Sequence, residues 1–377
     1  MFLYPDGWIC SALGDIGNAR QGLAAVGQKP DAGRSGVLTR RAAKQLASCG
    51  VTQEGNAQAR DSWGGRPRTS LRPRDGNVSV VAAEDGIAVE DDVMMEKRMS
   101  VQPIDEVDVA DAKNPLAAVD FVRYIYQSYK KTEQKVVLSS TYMSRQQDIN
   151  EKMRSILVDW LVDVHLKFKL VPETLYLTVN LIDRFLMVKS VSRKHLQLVG
   201  VTAMLVASKY EEIWAPEVRD FVYISDRAYN RDQILNMEKI MLNSLKFNLT
   251  VPTHYHFLHR FLKVAGLSED TEAVHYATYL VELSLPDYSM LRFTYSKIAA
   301  AAVSATLGLF GFNPMPEALL RHSSYTLEEL QDCLEILNTL YHRAPEGSLT
   351  AVYKKFSMDK FSNVSTRGAP AGLPMEL

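Results

Sequence analysis

Apolar residues recur at three- and four-residue spacing from about residue 116 onward, which is the period of an amphipathic helix. A first, short helix is marked by Phe121, Tyr124, Ile125 and Tyr129. Five more helical stretches follow up to about residue 245, and after Pro252 the pattern restarts for about five further helices. No segment shows a convincing strand alternation. The pattern therefore predicts an all-α fold with two helical domains of similar size, joined by a linker at Lys246–Thr253.

Several predicted helix starts carry residues that favour a helix N-terminus. Asp148-Ile149-Asn150-Glu151 resembles a capping box that opens a helix at Met153, and Pro172 occupies a first-turn position. The capping-box spacing recurs in Asn230 with Gln233 and in Thr326 with Glu329. In the second half, helices are predicted at about His254–Val264, Asp270–Leu285, Tyr288–Leu307 and Thr326–His342.

The first third of the chain has a different composition. Lys and Arg outnumber Asp and Glu by 11 to 6 over residues 1–83, whereas Asp and Glu outnumber Lys and Arg by 10 to 2 over residues 84–111. A glycine-rich basic block followed by an acidic block cannot bury enough apolar surface to offset its chain entropy. We expect a mostly disordered tail over 1–112, a first domain with its preceding helix over 113–250, a second domain over 251–356 and a flexible tail over 357–377.

Composition and charge argue against several classes of protein. The chain is 46% hydrophobic and 23% charged with a net charge of −1, which is typical of a globular protein. No apolar run approaches the roughly 18 residues that a membrane-spanning helix needs, and the first residues have neither a basic leader nor a long apolar stretch. Cys10, Cys49 and Cys333 lie far apart, so we expect no disulfide scaffold and no thiolate metal cage.

No motif for catalysis is recognisable. Phosphate-binding, nucleophile-elbow, zinc-protease and kinase signatures are missing, so we expect a protein with no catalytic activity of its own and no cofactor. His256 and His259 share a helix face, and His254 precedes them, so metal coordination is conceivable. No acidic or cysteine ligand accompanies these histidines, and we favour histidines at the surface or the edge of the core.

The helix Met153–Val164 is apolar on two faces. Met153, Ile156, Leu157, Trp160 and Val164 form one stripe, and Val158, Leu161, Val162 and Leu166 form another. Such a helix is either wholly buried, or buried on one face and bound to a partner on the other. From the pattern alone we favour a central core helix.

Two charged residues continue apolar stripes. Lys209 extends the stripe of Leu198 and Leu205, and Glu238 lies between Ile234 and Met241. An ionised side chain on an apolar face is costly unless it meets an opposite charge or several hydrogen bonds. Two interpretations stay open: the two side chains meet each other or a second protein, or they are a snorkelling lysine and a rim glutamate.

The same region of the chain resembles the cyclin box over roughly residues 116–356. The resemblance is carried by the segments Met153–Leu161, Pro172–Leu186, Leu196–Gly200 and Ala207–Ile213. Val164-His165-Leu166-Lys167-Phe168 and Trp214-Ala215-Pro216-Glu217-Val218 resemble the B-type mitotic cyclins of plants and green algae. The resemblance implies two tandem five-helix cyclin boxes after the N-terminal tail.

The resemblance also implies roles for individual residues. Residues that match the surface facing a cyclin-dependent kinase are Lys209, Glu238, Tyr210 and Phe247. Residues that match the patch for Arg-x-Leu motifs of substrates and inhibitors are Met153, Ile156, Leu157, Trp160 and Gln197.

Mitotic cyclins carry a destruction box, which is Arg-x-x-Leu followed by an Asn five residues after the Leu. The segment that contains Leu13, Asp15, Ile16 and Asn18 resembles the plant form of this motif, but Cys10 stands where the Arg is expected. This departure leaves two explanations open, a degenerate motif or a mispredicted first exon. Arg20 and Leu23 form a second Arg-x-x-Leu. The resemblance implies recognition of the tail by the anaphase-promoting ubiquitin ligase.

As a cyclin, the chain is expected to bind and activate a cyclin-dependent serine/threonine kinase at mitotic entry, in the nucleus with a cytoplasmic pool. We expect no nucleic acid or membrane partner. An A-type or transcriptional cyclin is the nearest alternative. A nucleic-acid-binding protein like transcription factor IIB shares the double helical fold, but the region after residue 112 has a net charge of only about +2 and lacks cysteines for a zinc ribbon.

Overall fold

The computed structural model describes residues 105–135 and 140–366, and helices are the only regular elements in those ranges. The first half contains α1 (Val122–Lys135), α2 (Glu151–Phe168), α3 (Pro172–Val188), α4 (Arg193–Glu211), α5 (Val218–Ile224) and α6 (Arg231–Ser244). The second half contains α7 (His254–Val264), α8 (Thr271–Ser284), α9 (Tyr295–Leu309), α10 (Glu317–Ser323), α11 (Leu327–Arg343) and α12 (Ala351–Phe356). Short 3-10 helices occupy Glu106–Asp111, Pro115–Ala117, Val119–Phe121, Tyr142–Arg145, Tyr288–Arg292 and Asp359–Phe361. The predicted all-α fold with two tandem domains is confirmed.

The start of α2 differs in detail from the prediction. Asn150 is the N-cap, and its Oδ1 accepts a hydrogen bond of 3.0 Å from the backbone N–H of Met153. Asp148 has another role: its carboxylate accepts 2.9 and 2.6 Å hydrogen bonds from the backbone N–H and the Nε–H of Arg193. Asp148 thus ties the entry to α2 to the first turn of α4.

The other predicted helix starts are found, and one predicted helix is divided. Pro172 opens α3, and both capping boxes form, at Asn230–Gln233 and at Thr326–Glu329. The stretch predicted as one helix, Tyr288–Leu307, is a 3-10 helix followed by α9. The division is at Thr294, which adopts an extended conformation and caps α9 through its side chain. The short helices α10 and α12 were not predicted.

Each domain is built around one buried helix. In the first domain every residue of α4 from Leu196 to Ser208 is buried, and α2, α3 and α6 pack around it. In the second domain α9 is the central helix, and its residues Ala299–Val303 are fully buried between α7, α8 and α11. Small residues on α9 let the neighbouring helices approach closely.

The two apolar faces of α2 contact two different cores. Met153, Leu157 and Trp160 belong to the core of the first domain, whereas Val158 and Val162 belong to a cluster that also contains residues of the second domain. On this second side α2 packs against α12. The helix is therefore central, as the pattern favoured, and its second apolar face is covered within the chain.

Both ends of the folded part extend beyond the predicted boundaries. Asp108 is only 3% exposed, so residues 105–112 pack on the second domain and do not belong to a disordered tail. Val364 is fully buried, so residues 357–366 also pack, and the expected flexible tail over 357–377 is wrong for this part. Residues 1–104 and 367–377 lie outside the described residues.

The histidines near the start of α7 have structural roles. The His254 ring lies 4.4 Å from the Tyr295 ring, and burial lowers the pKa of His254 to about 3. His256 accepts at Nδ1 from the backbone N–H of Thr253 and completes a capping box. Among the residues that the structure describes, no group of three or more His, Cys, Asp or Glu side chains is placed to hold a metal ion.

Candidate partner-binding surface

Lys209 and Glu238 form an ion pair on the surface of the first domain. Lys209 lies in the last turn of α4 and Glu238 lies in the middle of α6, and the Lys209 Nζ donates to Glu238 Oε1 at 2.7 Å. Lys209 remains 47% exposed and Glu238 13% exposed. The structure therefore brings the two charges together and leaves the lysine accessible to a partner.

Tyr210, in the last turn of α4, and Phe247, just after α6, expose large apolar surfaces. The Tyr210 hydroxyl is 2.6 Å from Thr250 Oγ1, which ties the end of α4 to the segment after α6. Phe247 is 64% exposed. Its ring is presented by two successive left-handed residues, Lys246 with φ 52° and Phe247 with φ 55°, which end α6 and turn the chain outward.

Sequence reasoning did not single out the next two apolar residues as site residues. Ile213 and Trp214 follow α4 directly and are 67% and 76% exposed. The signal available in the sequence is an apolar pair placed just before Pro216, in a loop rather than a helix. We use the name α4–α6 surface for the set Lys209, Tyr210, Ile213, Trp214, Glu238 and Phe247.

Carboxylates border the α4–α6 surface at the end of α4. Glu212 Oε1 accepts from the backbone N–H of Val171 at 2.8 Å and from the Thr174 hydroxyl at 2.6 Å, so Glu212 ties the end of α4 to the start of α3. Burial, together with the nearby carboxylates of Glu211 and Glu212, raises the pKa of Glu173 to about 7. Burial also raises the pKa values of Glu211 and Glu212. These carboxylates therefore favour a partner surface that carries a basic group next to an apolar one.

The five residues that match a substrate-docking patch come together between α2 and α4 but are nearly covered. Met153 and Leu157 are 1% and 0% exposed, and Ile156, Trp160 and Gln197 are 5 to 8% exposed. The apolar excess of α2 is explained by its contacts with both domains, so the docking role depends on the resemblance alone and stays a prediction.

Gln197 is the polar member of this patch. Its Nε2 is buried and has no hydrogen-bond acceptor among the described residues. A buried amide N–H without a partner costs about 1–3 kcal/mol, so a ligand carbonyl placed above it would gain that amount. The degron candidates Leu13, Asp15, Ile16, Asn18, Arg20 and Leu23 lie outside the described residues.

The chain matches two successive protein families over most of its described length. Residues 124–250 match "Cyclin, N-terminal domain" and residues 252–370 match "Cyclin, C-terminal domain". No helix in the described part of the chain is long and apolar enough to cross a bilayer.

Plant proteins named as B-type or mitotic cyclins are similar to the chain. G2/mitotic-specific cyclin-2 of Medicago sativa is 47% identical over 68% of this chain and 78% of its own length. Cyclin-B2-1 of Arabidopsis thaliana is 47% identical over 73% of this chain and 64% of its own length. Cyclin-B2-1 of Oryza sativa subsp. japonica is 46% identical over 76% of this chain and 67% of its own length. The chain thus spans slightly less than two thirds of some of these relatives, as it does for the G2/mitotic-specific cyclin-1 of Medicago sativa subsp. varia at 63%.

A solved structure has the same fold. The crystal structure of a viral cyclin from herpesvirus saimiri superposes with a TM-score of 0.54 at 20% identity, covering 61% of this chain and 99% of the viral one. The two domain matches and the plant relatives lead to one assignment: this chain belongs to the cyclin family, and it is a B-type cyclin similar to those of plants.

Proposed function

We propose that the chain is a regulatory subunit that binds and activates a cyclin-dependent serine/threonine kinase through the α4–α6 surface. The observation that carries the proposal is the Lys209–Glu238 pair, exposed on its lysine side, together with large, solvent-exposed apolar side chains at the C-terminal ends of the two helices that carry the pair. Exposed apolar side chains combined with an ordered charge pair are typical of a protein-binding site.

The charged pair and the exposed apolar side chains of the α4–α6 surface contribute differently to binding of the kinase. A partly exposed ion pair stabilises its own domain by only about 0–1 kcal/mol, so the main value of Lys209 and Glu238 lies in recognition. Covering the exposed parts of Tyr210, Trp214 and Phe247 contributes about 1–2 kcal/mol each. Affinity therefore comes from the apolar groups, and the charges fix the register of the partner.

The chain activates the kinase in this proposal by holding one of its helices in place. The α4–α6 surface holds the kinase helix that carries the catalytic Glu, so that this Glu pairs with the ATP-binding Lys and the activation segment becomes ordered. The chain contributes no reacting group and acts by shifting the kinase toward its active conformation.

The patch around Gln197 serves as a second, weak attachment for Arg-x-Leu substrates. The Gln197 Nε2, which has no acceptor among the described residues, supplies a donor for the peptide backbone once the covering side chains move aside. Such an attachment raises the effective concentration of a substrate near the kinase active site.

Mitotic entry, a nuclear pool and destruction through the anaphase-promoting ubiquitin ligase complete the proposal. The plant B-type relatives named G2/mitotic-specific support the timing. The destruction-box-like segment Leu13–Asn18, which lacks the arginine, and the Arg-x-x-Leu of Arg20 and Leu23, which keeps it, support the route of destruction.

The test is kinase activation by the full chain with a short peptide substrate that has no Arg-x-Leu motif. We expect the wild type to activate the kinase and Lys209→Glu to lower activation at least about tenfold, because the reversed charge also repels Glu238. Arg193→Ala is the matched control, since Arg193 also forms a partly exposed ion pair on α4, about 24 Å away along the helix. Equal activation by the wild type and Lys209→Glu would refute the proposed surface.

The patch needs a separate measurement. Gln197→Ala is expected to reduce phosphorylation of an Arg-x-Leu protein substrate while phosphorylation of the short peptide stays at the wild-type rate. Equal effects on both substrates would show that Gln197 acts on the fold or on the kinase contact instead.

A further inference from the structure

An acidic segment lies across the second domain. Asp105, Asp108 and Asp111 are spaced by three residues in and next to the 3-10 helix Glu106–Asp111, which has three residues per turn, so their carboxylates share one face. We call residues 105–111 the acidic strap. The face that carries the three aspartates points at α7 and α10.

The strap meets three cationic side chains, Arg260, Lys263 and Arg321, together with the His322 imidazole, whose pKa is lowered by burial. We call these four side chains the cationic site. The Asp108 carboxylate accepts from Arg260 Nη1 at 2.6 Å and Nη2 at 2.8 Å, and from Lys263 Nζ at 2.8 Å. Lys263 Nζ also pairs with Asp111 at 2.5 Å. At the other end, His322 Nε2 lies 3.0 Å and Arg321 Nη2 lies 3.7 Å from the Asp105 carboxylate.

The cationic site is formed by the fold rather than by the strap. Arg260 is 6% exposed, lies on α7, and stacks its guanidinium 5.6 Å from the centre of the Tyr126 ring of α1. Lys263 lies one turn further along α7, and Arg321 and His322 end α10. A guanidinium fork held in place by a ring is pre-organised to bind a carboxylate through two hydrogen bonds.

The strap is held mainly by charge. Its Val109 is 59% exposed, so this apolar side chain contributes little to the contact. Asp105 makes no side-chain cap to the 3-10 helix, and the helix is only six residues long. Ordering such a segment costs about 1–2 kcal/mol per residue, which the ionic contacts are placed to offset, with a smaller contribution from the partly buried Val107. Contacts of this kind weaken as salt is raised.

From this arrangement we infer that the cationic site is a peptide-binding site for acidic segments with carboxylates three residues apart, and that residues 105–111 are its resident occupant. An acidic segment of a partner protein binds there by displacing the strap. The surface lies on the second domain, and the inference is independent of the kinase contact proposed for the first.

The test uses the full chain carrying Asp105→Asn, Asp108→Asn and Asp111→Asn, and a fluorescently labelled peptide with the sequence of residues 105–113. We expect the triple variant to bind the peptide and the wild type to bind it at least about tenfold more weakly, because the attached strap competes at high effective concentration. Adding Arg260→Gln and Lys263→Gln to the triple variant is expected to lower the affinity at least about tenfold.

Two controls keep the test decisive. A peptide with Asn at the three Asp positions should not bind, and helicity measured by circular dichroism shows that the triple variant is folded. For the wild type, an excess of the acidic peptide should speed hydrogen exchange of residues 105–111, which needs no variant. Any of three results would overturn the inference. These are a folded triple variant that does not bind the acidic peptide, an Asn peptide that binds as tightly as the acidic one, and hydrogen exchange of residues 105–111 in the wild type that the acidic peptide leaves unchanged.

Discussion

Arg154 and Asp183 form a fully buried ion pair that joins α2 to α3 and reaches the second domain. Arg154 Nε lies 2.6 Å from Asp183 Oδ1 and Nη2 lies 2.7 Å from Oδ2, and each side chain is 1% exposed. Arg154 Nη1 donates to the backbone oxygen of Leu285 at 3.0 Å, and the Tyr142 hydroxyl donates to Asp183 at 2.7 Å. One guanidinium therefore connects the two domains.

Truncating one partner of this pair should be strongly destabilising. Arg154→Ala leaves the buried Asp183 carboxylate without its counter-ion and the Leu285 carbonyl without the Arg154 donor, and we expect the free energy of unfolding to fall by about 3–5 kcal/mol. Urea denaturation measures it. Arg193→Ala breaks an ion pair that is about one third exposed and should cost less than about 1 kcal/mol. Similar losses in the two variants would contradict this account.

The end of α6 should gain stability from a glycine. Lys246 is held at φ 52°, a left-handed conformation that costs an ordinary residue roughly 1–2 kcal/mol. Lys246→Gly removes this cost, in part offset by the entropy of glycine in the unfolded chain, and we expect a gain of about 0.5–1 kcal/mol. Thermal unfolding measures it. Lys246→Ala, which keeps the Cβ, should give no gain, and an equal gain from alanine would refute the explanation.

Stability should depend on pH through Asp159. Its carboxylate accepts a 3.0 Å hydrogen bond from the backbone N–H of Ala351, and burial, with Asp163 adding its negative charge, raises the pKa of Asp159 to about 6. Because the pKa of Asp159 is higher in the folded state than in the unfolded chain, its protonation favours the folded state. This contribution to the free energy of unfolding is fully present below about pH 4 and is lost as the pH rises through about 6.

Asp159→Asn removes this dependence while its amide oxygen still accepts the bond from Ala351. We expect the variant to exceed the wild type in free energy of unfolding by about 1–3 kcal/mol at pH 7.5, and the difference to vanish near pH 4. Urea denaturation at both pH values measures it. A difference that stays constant with pH would show that Asp159 does not titrate as proposed.

Gly200 lies at a close approach between α2 and α4. A Cβ at this position would lie 2.7 Å from Leu157 Cδ1, and the Leu157 side chain is fully buried. Gly200→Ala gains about 1 kcal/mol of helix propensity but adds a methyl group to a packed core. We therefore expect the free energy of unfolding to fall by about 1 kcal/mol overall. Leu157→Val in the same chain should recover part of that loss. A stabilised single variant would contradict the close packing.

The helices and the two-domain order were predictable because they depend on local signals. Capping residues such as Asn230 and Thr326, and the three- and four-residue spacing of apolar side chains, are local properties of the sequence. The division at Thr294 was missed because apolar spacing continues across it, whereas the extended conformations of Phe293 and Thr294 separate the two helices.

Contacts between distant segments could not be predicted in the same way. Asp108 and Arg260 are 152 residues apart, and Arg154 and the Leu285 carbonyl are 131 apart, so neither pairing leaves a local pattern. The approach of Lys209 to Glu238 was suggested by two charges on apolar stripes, whereas the exposure of Trp214 became visible only in the folded chain.

The most direct test of the proposed kinase contact is hydrogen–deuterium exchange of the full chain with and without a cyclin-dependent kinase. We expect amide exchange in the exposed segments 212–217 and 246–250 to slow at least about tenfold in the complex, while the segment 265–270 of the second domain exchanges as in the free chain. A complex that forms with unchanged exchange in 212–217 and 246–250, or with protection confined to the second domain, would contradict it.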